Sequence, residues 1–438
     1  MALRGLVYYR GRSKMVLKAV VNGVIAVLWI GVICAGEVAR YDNYRVYRLI
    51  AKSNDHLKTL HELQDSSDSY IFLEKGLKVG DGFNIVVAPH KLADFTEMLD
   101  VDGIKAEILD TNLQRSIDEE KYRMQSKRTK GIFDWNEYHE LEEIHNWLDK
   151  LALNYEQVEV VEAGHSYENR TIKGVKVSYK SGNPGIFLEG GIHAREWISP
   201  ATVTYILNEL LTSQDPKVRN ISENYDWYIF PNVNPDGYVY THKKNRLWRK
   251  TRTPYSRACF GADPNRNWDF HWAEQGTSDR CNTETYGGPY AFSEVEMKSL
   301  SQYIESLKGK IQAYIAFHSY SQVLLYPYGH TIEHTPNHDD LTDIANATVT
   351  ALAKRYGTKY YYGNTYEAIY PASGSSADWV YNTLGVRVAY TYELRPSPSS
   401  WNSGFILPSE QIVPTGEETL DSLVTLVEES AKRKYFEL

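Results

Sequence analysis

The sequence predicts an α/β protein with one large, helix-flanked sheet, preceded by a small antiparallel α/β sandwich. Three observations carry that reading. Residues 44–124 alternate between apolar periods of about two and about 3.6 residues, in the order strand, helix, strand, strand, helix, strand. A polar basic run, Gln125-Ser126-Lys127-Arg128-Thr129-Lys130, then interrupts the pattern with no apolar face to bury. Beyond it, apolar strands alternate with longer amphipathic helices, without internal repeats or low-complexity tracts.

In order, 44–50 reads as a strand, and Ser53 caps a helix carrying Leu57, Leu60 and Leu63. Residues 69–73 and 83–88 read as strands, 92–99 as a helix, 104–109 as a strand and 111–124 as a charged helix. The domain boundary is expected in the basic run, where exposed linkers sit and proteases cut. A trypsin-like cut after Arg128 or Lys130 would free everything from Gly131 onward, unless the run is a solvated linker that is never cut. The clearest strands of the larger part are 186–192, 227–230, 311–317 and 386–393.

At the N-terminus Arg4, Arg10, Arg12, Lys14 and Lys18 precede an uncharged run over 19–36 that ends in Cys34-Ala35-Gly36, the layout of a secretory signal peptide. The competing reading is an uncleaved membrane anchor, against which Asn22 and Gly23 stand; Met15 is an alternative start. If Cys34 leaves with the signal, Cys259 and Cys281 remain as a pair in an oxidising compartment, and a disulfide is expected. Asn169, Asn220 and Asn346 begin sequons compatible with secretion. With 438 residues, 42% hydrophobic and 24% charged, the chain has room for two or three domains. Its net charge of −8 argues against a nucleic-acid partner, which would want a concentrated basic face.

The chemistry is concentrated in Gly190-Gly191-Ile192-His193-Ala194-Arg195-Glu196-Trp197, where a His and a Glu follow an apolar strand, and in Ala316-Phe317-His318-Ser319-Tyr320. Neutral imidazoles and a carboxylate suit Zn²⁺, and three protein ligands leave a position open for water, so His193, Glu196 and His318 read as a hydrolytic metal centre. Both histidines follow the carboxyl end of a strand, the edge at which open α/β sheets bind ligands.

From Tyr44 to the end, the chain resembles the secreted zinc carboxypeptidases of the pancreatic A/B type. The likeness rests on Gly-Ile-His193-Ala-Arg-Glu-Trp-Ile-Ser-Pro, on Asn245-Arg-Leu-Trp-Arg-Lys-Thr-Arg252 and on Asp263-Pro-Asn-Arg-Asn-Trp268. His318-Ser-Tyr-Ser-Gln322, Leu325-Tyr-Pro-Tyr-Gly329 and Tyr392-Glu-Leu-Arg395 add to it. Carboxypeptidase A is itself the standard example of a His₂Glu zinc site, so that ligand set is the family's.

The resemblance implies a mixed, mostly parallel eight-stranded catalytic sheet flanked by helices, preceded by a small α+β antiparallel open-sandwich prodomain. It implies one Zn²⁺ per catalytic domain, Glu393 as general base and Arg249 as the cation facing the developing oxyanion. Asn265 and Arg266 match the pair that holds the substrate's C-terminal carboxylate, and Tyr370 the mobile tyrosine that closes over it. Arg195 and Tyr320 match further substrate contacts, and Asp263 the acceptor that orients His193. The alternation along 386–393 does not settle which way Glu393 points. At the side-chain pocket floor stands Ala377, where B-type enzymes carry an acid and A-type enzymes a bulky aliphatic; apolar or aromatic C-terminal residues are therefore expected, with Glu367 the nearby charge able to overturn this. The family's cis bond after Arg395 precedes Pro396 here, where the cis form is cheap, so Arg395-Pro396 is expected cis.

The resulting expectation is a secreted, extracellular zymogen: signal peptide 1–36, activation peptide 37–128 that inhibits its own enzyme, and zinc carboxypeptidase domain 129–438. Its partners would be peptide or protein C-termini and a trypsin-like activating protease, and the family expectation is a monomer. The alternatives are B-like or broad specificity, a catalytically silent peptide-binding homologue, or a membrane-anchored form.

Overall fold

The computed structural model describes residues 38–437 apart from 68, 75, 77, 128–131 and 398–403. The signal segment, Cys34, both candidate cut sites and the tip of the loop after Arg395 lie outside the described residues.

The small domain runs β1 (Arg45–Ile50), α1 (Asn54–Ser66), β2 (Tyr70–Glu74), β3 (Gly82–Val87), α2 (Leu92–Asp102), β4 (Ala106–Asp110) and α3 (Leu113–Lys127). Its strands lie in the antiparallel order β2-β3-β1-β4. The Ser53 side chain accepts from the His56 amide and so satisfies an orphan donor at the start of α1. Gly103, at φ 66°, ends α2 in the left-handed conformation that glycine adopts without strain. Strand β4 starts at Ala106, because Ile104 is buried in the domain core with Tyr47, Phe83 and Phe95 instead of extending the ladder.

The large domain contributes α4 (Leu141–Asn154), β5 (Val158–His165), β6 (Thr171–Val177), β7 (Gly185–Gly190), α5 (Ile198–Thr212), α6 (Pro216–Asn224), β8 (Asp226–Phe230) and α7 (Pro235–Lys243). After the hairpin β9 (Pro254–Ser256) and β10 (Cys259–Phe260) come α8 (Val295–Ser306), β11 (Ile311–Ser319) and β12 (Val323–Tyr326). Next are α9 (His338–Tyr356), β13 (Tyr361–Asn364), the single turns α10 (Thr365–Ala368) and α11 (Ser376–Trp379), β14 (Val388–Leu394) and α12 (Ile412–Lys432). Eight strands form one sheet in the order β13-β12-β14-β11-β7-β8-β6-β5. The pairs β14/β11, β11/β7, β7/β8 and β12/β13 are parallel and the others antiparallel. Every residue of β7 and β8 is buried, as expected for parallel strands covered on both faces.

Cys259 and Cys281 are bonded, with Cα atoms 5.7 Å apart. The Arg395-Pro396 peptide is cis, and so are the non-proline bonds Ser319-Tyr320 and Pro327-Tyr328, which the sequence did not announce. Among the described residues no helix is long and apolar enough to cross a membrane.

Candidate active site

Strands β7 and β11 are parallel neighbours, so the segments leaving their carboxyl ends meet. Gly191, at φ 65° and pressed against the Asn232 side chain, lets the chain turn sharply out of β7 and present His193. Glu196 stands just before Trp197, the N-cap of helix α5, and His318 is near the end of β11. Among the described residues these three form the one group able to hold a metal: one ligand atom from each lies within 4.8 Å of the others, and all are buried. His193 Nδ1 is 2.8 Å from Glu196 Oε1 and 3.1 Å from His318 Nδ1; His318 Nδ1 is 3.4 Å from Glu196 Oε2. A buried cluster of two imidazole nitrogens and a carboxylate is a donor set that fits zinc.

His193 turns its outer nitrogen, Nε2, to Asp263 Oδ1 at 3.1 Å, the arrangement that fixes the orientation of a ligating imidazole. Asp263 is fully buried; burial alone would raise its pKa, but the Arg249 guanidinium and His193 hold it well below the ordinary value. Arg249 donates through Nη2 to Asp263 Oδ2 at 2.9 Å, and its Nη1 is 3.6 Å from Glu196 Oε1. The cation is thus fixed beside His193 and Glu196 by a carboxylate that serves two partners.

The direction of Glu393, open in the sequence, follows from register. It pairs with His318 across parallel strands, so both side chains project from the same face of the sheet. Glu393 lines a cavity of ≈ 890 Å³ together with His193, Glu196, Arg195, Arg249, Arg266, Tyr320 and Tyr370. Arg266 is held by the Gly276 and Asn265 carbonyls, its Nη2 is without a partner among the described residues, and its guanidinium lies 5.6 Å from the Tyr370 ring centre. Asn265 does not line the cavity; its side chain accepts from the Ser376 amide, tying the Asp263-Pro264 turn to α11. Ala377 is also off the cavity wall, 8% exposed in an apolar cluster with Trp268 and Trp379. Glu367 reaches the wall, but it accepts from Asn364 at 2.7 Å and stands 3.3 Å from His334 Nε2.

Several neighbours went unread in the sequence. Arg195 is 2.7 Å from Glu284 and lies 4.3 Å from the Phe405 ring centre, while Phe405 meets Tyr320 edge-on. No spacing links these positions; only the fold joins them. The roof of the cavity comes from the small domain, through Phe72, Leu73, Lys78, Asp81 and Gly82. Asn84 of β3 donates to the Tyr320 hydroxyl at 3.2 Å, and Glu120 of α3 forms a buried two-pronged ion pair with Arg246 at 2.6 and 3.0 Å. Arg246 lies within the Asn245–Arg252 motif, but Glu120 is 126 residues away and only the fold joins them.

Residues 144–422 match the family described as zinc carboxypeptidase, and residues 47–120 match the carboxypeptidase activation peptide. The chain is 64% identical over 404 residues to zinc carboxypeptidase A 1 of Anopheles gambiae, covering 92% of this chain and 93% of that protein. It is 36% identical to carboxypeptidase A1 of Rattus norvegicus, over 94% of this chain and 99% of the relative. Among solved structures, the carboxypeptidase A of Helicoverpa armigera superposes with a TM-score of 0.83 at 26% identity, covering 91% of this chain and 99% of that one. The match over residues 144–422 and the 64% identity show that the chain belongs to the zinc carboxypeptidase family, which takes one zinc per catalytic domain.

Proposed function

We propose that the protein is a secreted metallocarboxypeptidase zymogen that, once its activation domain is removed, hydrolyses the C-terminal peptide bond of peptides and proteins with a preference for apolar or aromatic terminal residues. The observation that carries this reading is the convergence of His193, Glu196 and His318 beneath a cavity lined by Glu393, Arg249 and Arg266. His193, Glu196 and His318 would hold the zinc, which would supply Lewis-acid chemistry at this site. Glu393 takes the proton from the attacking water and delivers it to the departing amine. Arg249, already fixed by Asp263, faces the negative charge that grows on the carbonyl oxygen and needs no reorganisation to do so. Arg266, buried and with one unpaired nitrogen, offers the planar fork a terminal carboxylate needs; Asn265 braces that segment and Tyr370 closes over the bound end. Arg195 and Tyr320 touch the residues upstream of the scissile bond.

Apolar specificity is favoured because the carboxylates nearest in sequence to the expected pocket floor at Ala377 are engaged: Asp378 accepts from the Gly329 and His330 amides, and Glu367 from Asn364. Latency rests on the small domain's roof over the cavity, with residues 37–128 as activation peptide and 129–438 as enzyme, separated by a trypsin-like protease. Secretion follows from the signal layout of 1–36, and the exposed positions of Asn169, Asn220 and Asn346 are compatible with glycosylation of a monomeric enzyme.

The test is hydrolysis of matched blocked dipeptides ending in Phe, Leu, Arg and Glu by the trypsin-treated protein, with and without a zinc chelator. Chelator-sensitive release of Phe or Leu, absent before trypsin, is expected. Preferred release of Arg would overturn the specificity assignment, and no release at all would favour a silent peptide-binding homologue.

A further inference from the structure

We propose that Glu189 is a positioning residue for the metal centre, holding the His318 imidazole in place through one buried water between Glu189 Oε2 and His318 Nε2. The inference rests on the reading of the trio as the zinc site. The two imidazoles meet at Nδ1, so the Nε2 atom of each points outward. The outer nitrogen of His193 has Asp263; that of His318 is buried and has no partner among the described residues. A ligating imidazole almost always gives its other N–H to an acceptor, and a buried donor left unpaired costs about 1–3 kcal/mol. The asymmetry between the two histidines therefore calls for an acceptor on the β11 side.

Glu189 supplies one. On β7 it pairs with Ala316 of β11, so its side chain shares a sheet face with Ala316 and, two residues along, with His318. It is fully buried. The Tyr314 hydroxyl donates to Glu189 Oε1 at 2.6 Å, and Ser376 Oγ lies 3.4 Å from the same atom. Glu189 Oε2 has no partner among the described residues. A lone acceptor and a lone donor thus sit as diagonal neighbours on one buried face, close enough to interact electrostatically and too far apart to bond directly. A single water satisfies both, in a site whose partners are polar.

Zinc dissociation constants of the full chain, measured by chelator competition on wild type, E189L, E189Q and Y314F, test this. E189L is expected to bind zinc about 10- to 100-fold more weakly, whereas E189Q, which keeps an oxygen in place, and Y314F, which frees only Oε1, stay within about three-fold of wild type. The visible spectrum of the Co²⁺-substituted protein should change in E189L and not in Y314F. Unaltered zinc affinity in E189L, or an equal loss in Y314F, overturns the proposal. Should E189L fail to fold, a high-resolution crystal structure of the zinc-loaded wild type decides: a water bonded to both atoms supports the assignment, and none there overturns it. A wild type that binds no zinc overturns the metal-site reading itself, and needs no variant to be seen.

Discussion

Burial, helped by the neighbouring Glu196 carboxylate, pushes the Glu393 carboxyl up to about 8, and the Arg249 and Arg266 cations hold that rise in check. A general base works only when ionised, so the sign is fixed: kcat/KM should fall as pH drops through the Glu393 pKa. Since a bound divalent cation lowers that pKa, a pH–rate profile should place the acid limb no higher than about 8. Glu393→Gln removes the limb along with the base; kcat should fall by about 10²- to 10⁴-fold while zinc content, read by atomic absorption, stays at one per chain. Arg249→Ala should cost about 10²- to 10³-fold in kcat with a smaller change in KM, since its charge is aimed at the transition state. At this scale the sequence was informative wherever ligand chemistry and motif coincide, as at His193, Glu196 and His318. It was silent on Glu284 and Phe405, because their approach to Arg195 is made by tertiary packing alone.

Helix α8 carries an acid that its own element does not need. Glu296, in the first turn, is fully buried; its Oε1 accepts from the Tyr167 amide at 3.1 Å and its Oε2 has no partner among the described residues. Burial raises its pKa from 4.5 to about 8. Between those values the folded chain keeps a proton that the unfolded chain has lost, so stability should decline as pH rises across this window and level off above it. Glu296→Gln, neutral throughout, should flatten the decline and exceed wild type in urea midpoint above pH 8, with little difference below pH 5. A wild-type midpoint independent of pH over that range would refute the assignment. The elements themselves were unevenly legible. The small domain could be read strand by strand because its short apolar runs are separated by turn and cap residues, although only β2 alternates, β3 being buried almost throughout and β4 having no buried residue. In the large sheet the buried β7, β8, β11 and β14 stood out, whereas β5 and β13 did not. Their mixed exposure dilutes the apolar signal, and their place in the sheet depends on partners distant in sequence.

The whole molecule has one core in the small domain and two in the large one, with a small apolar cluster bridging the domains. Tyr47, Phe83, Phe95 and their neighbours form a cluster confined to the small domain, which should therefore fold alone as residues 38–127. Among the contacts that hold it over the cavity are the small cluster of Val46, Val86 and Leu113 against Leu247 and Ile406, the Tyr41–Asn245 and Asn84–Tyr320 bonds and the Glu120–Arg246 pair. Of these, the ion pair carries charge on both partners. Glu120 is 8% and Arg246 5% exposed, and Arg246 also donates to the carbonyls of Arg195 and Phe405, so the latch grips the backbone of two cavity residues. Removing one partner of a buried pair typically costs about 3–5 kcal/mol, and the carbonyl partners left to Arg246 put Glu120→Ala near the lower end. The isolated small domain, added to the activated enzyme, should inhibit it; the E120A form should inhibit with a constant weaker by on the order of 100-fold, at an unchanged unfolding midpoint of its own. Equal inhibition by both forms would mean that the roof is held by apolar packing and the Asn84 contact, and that the buried pair serves only to orient α3 as the chain enters the catalytic domain.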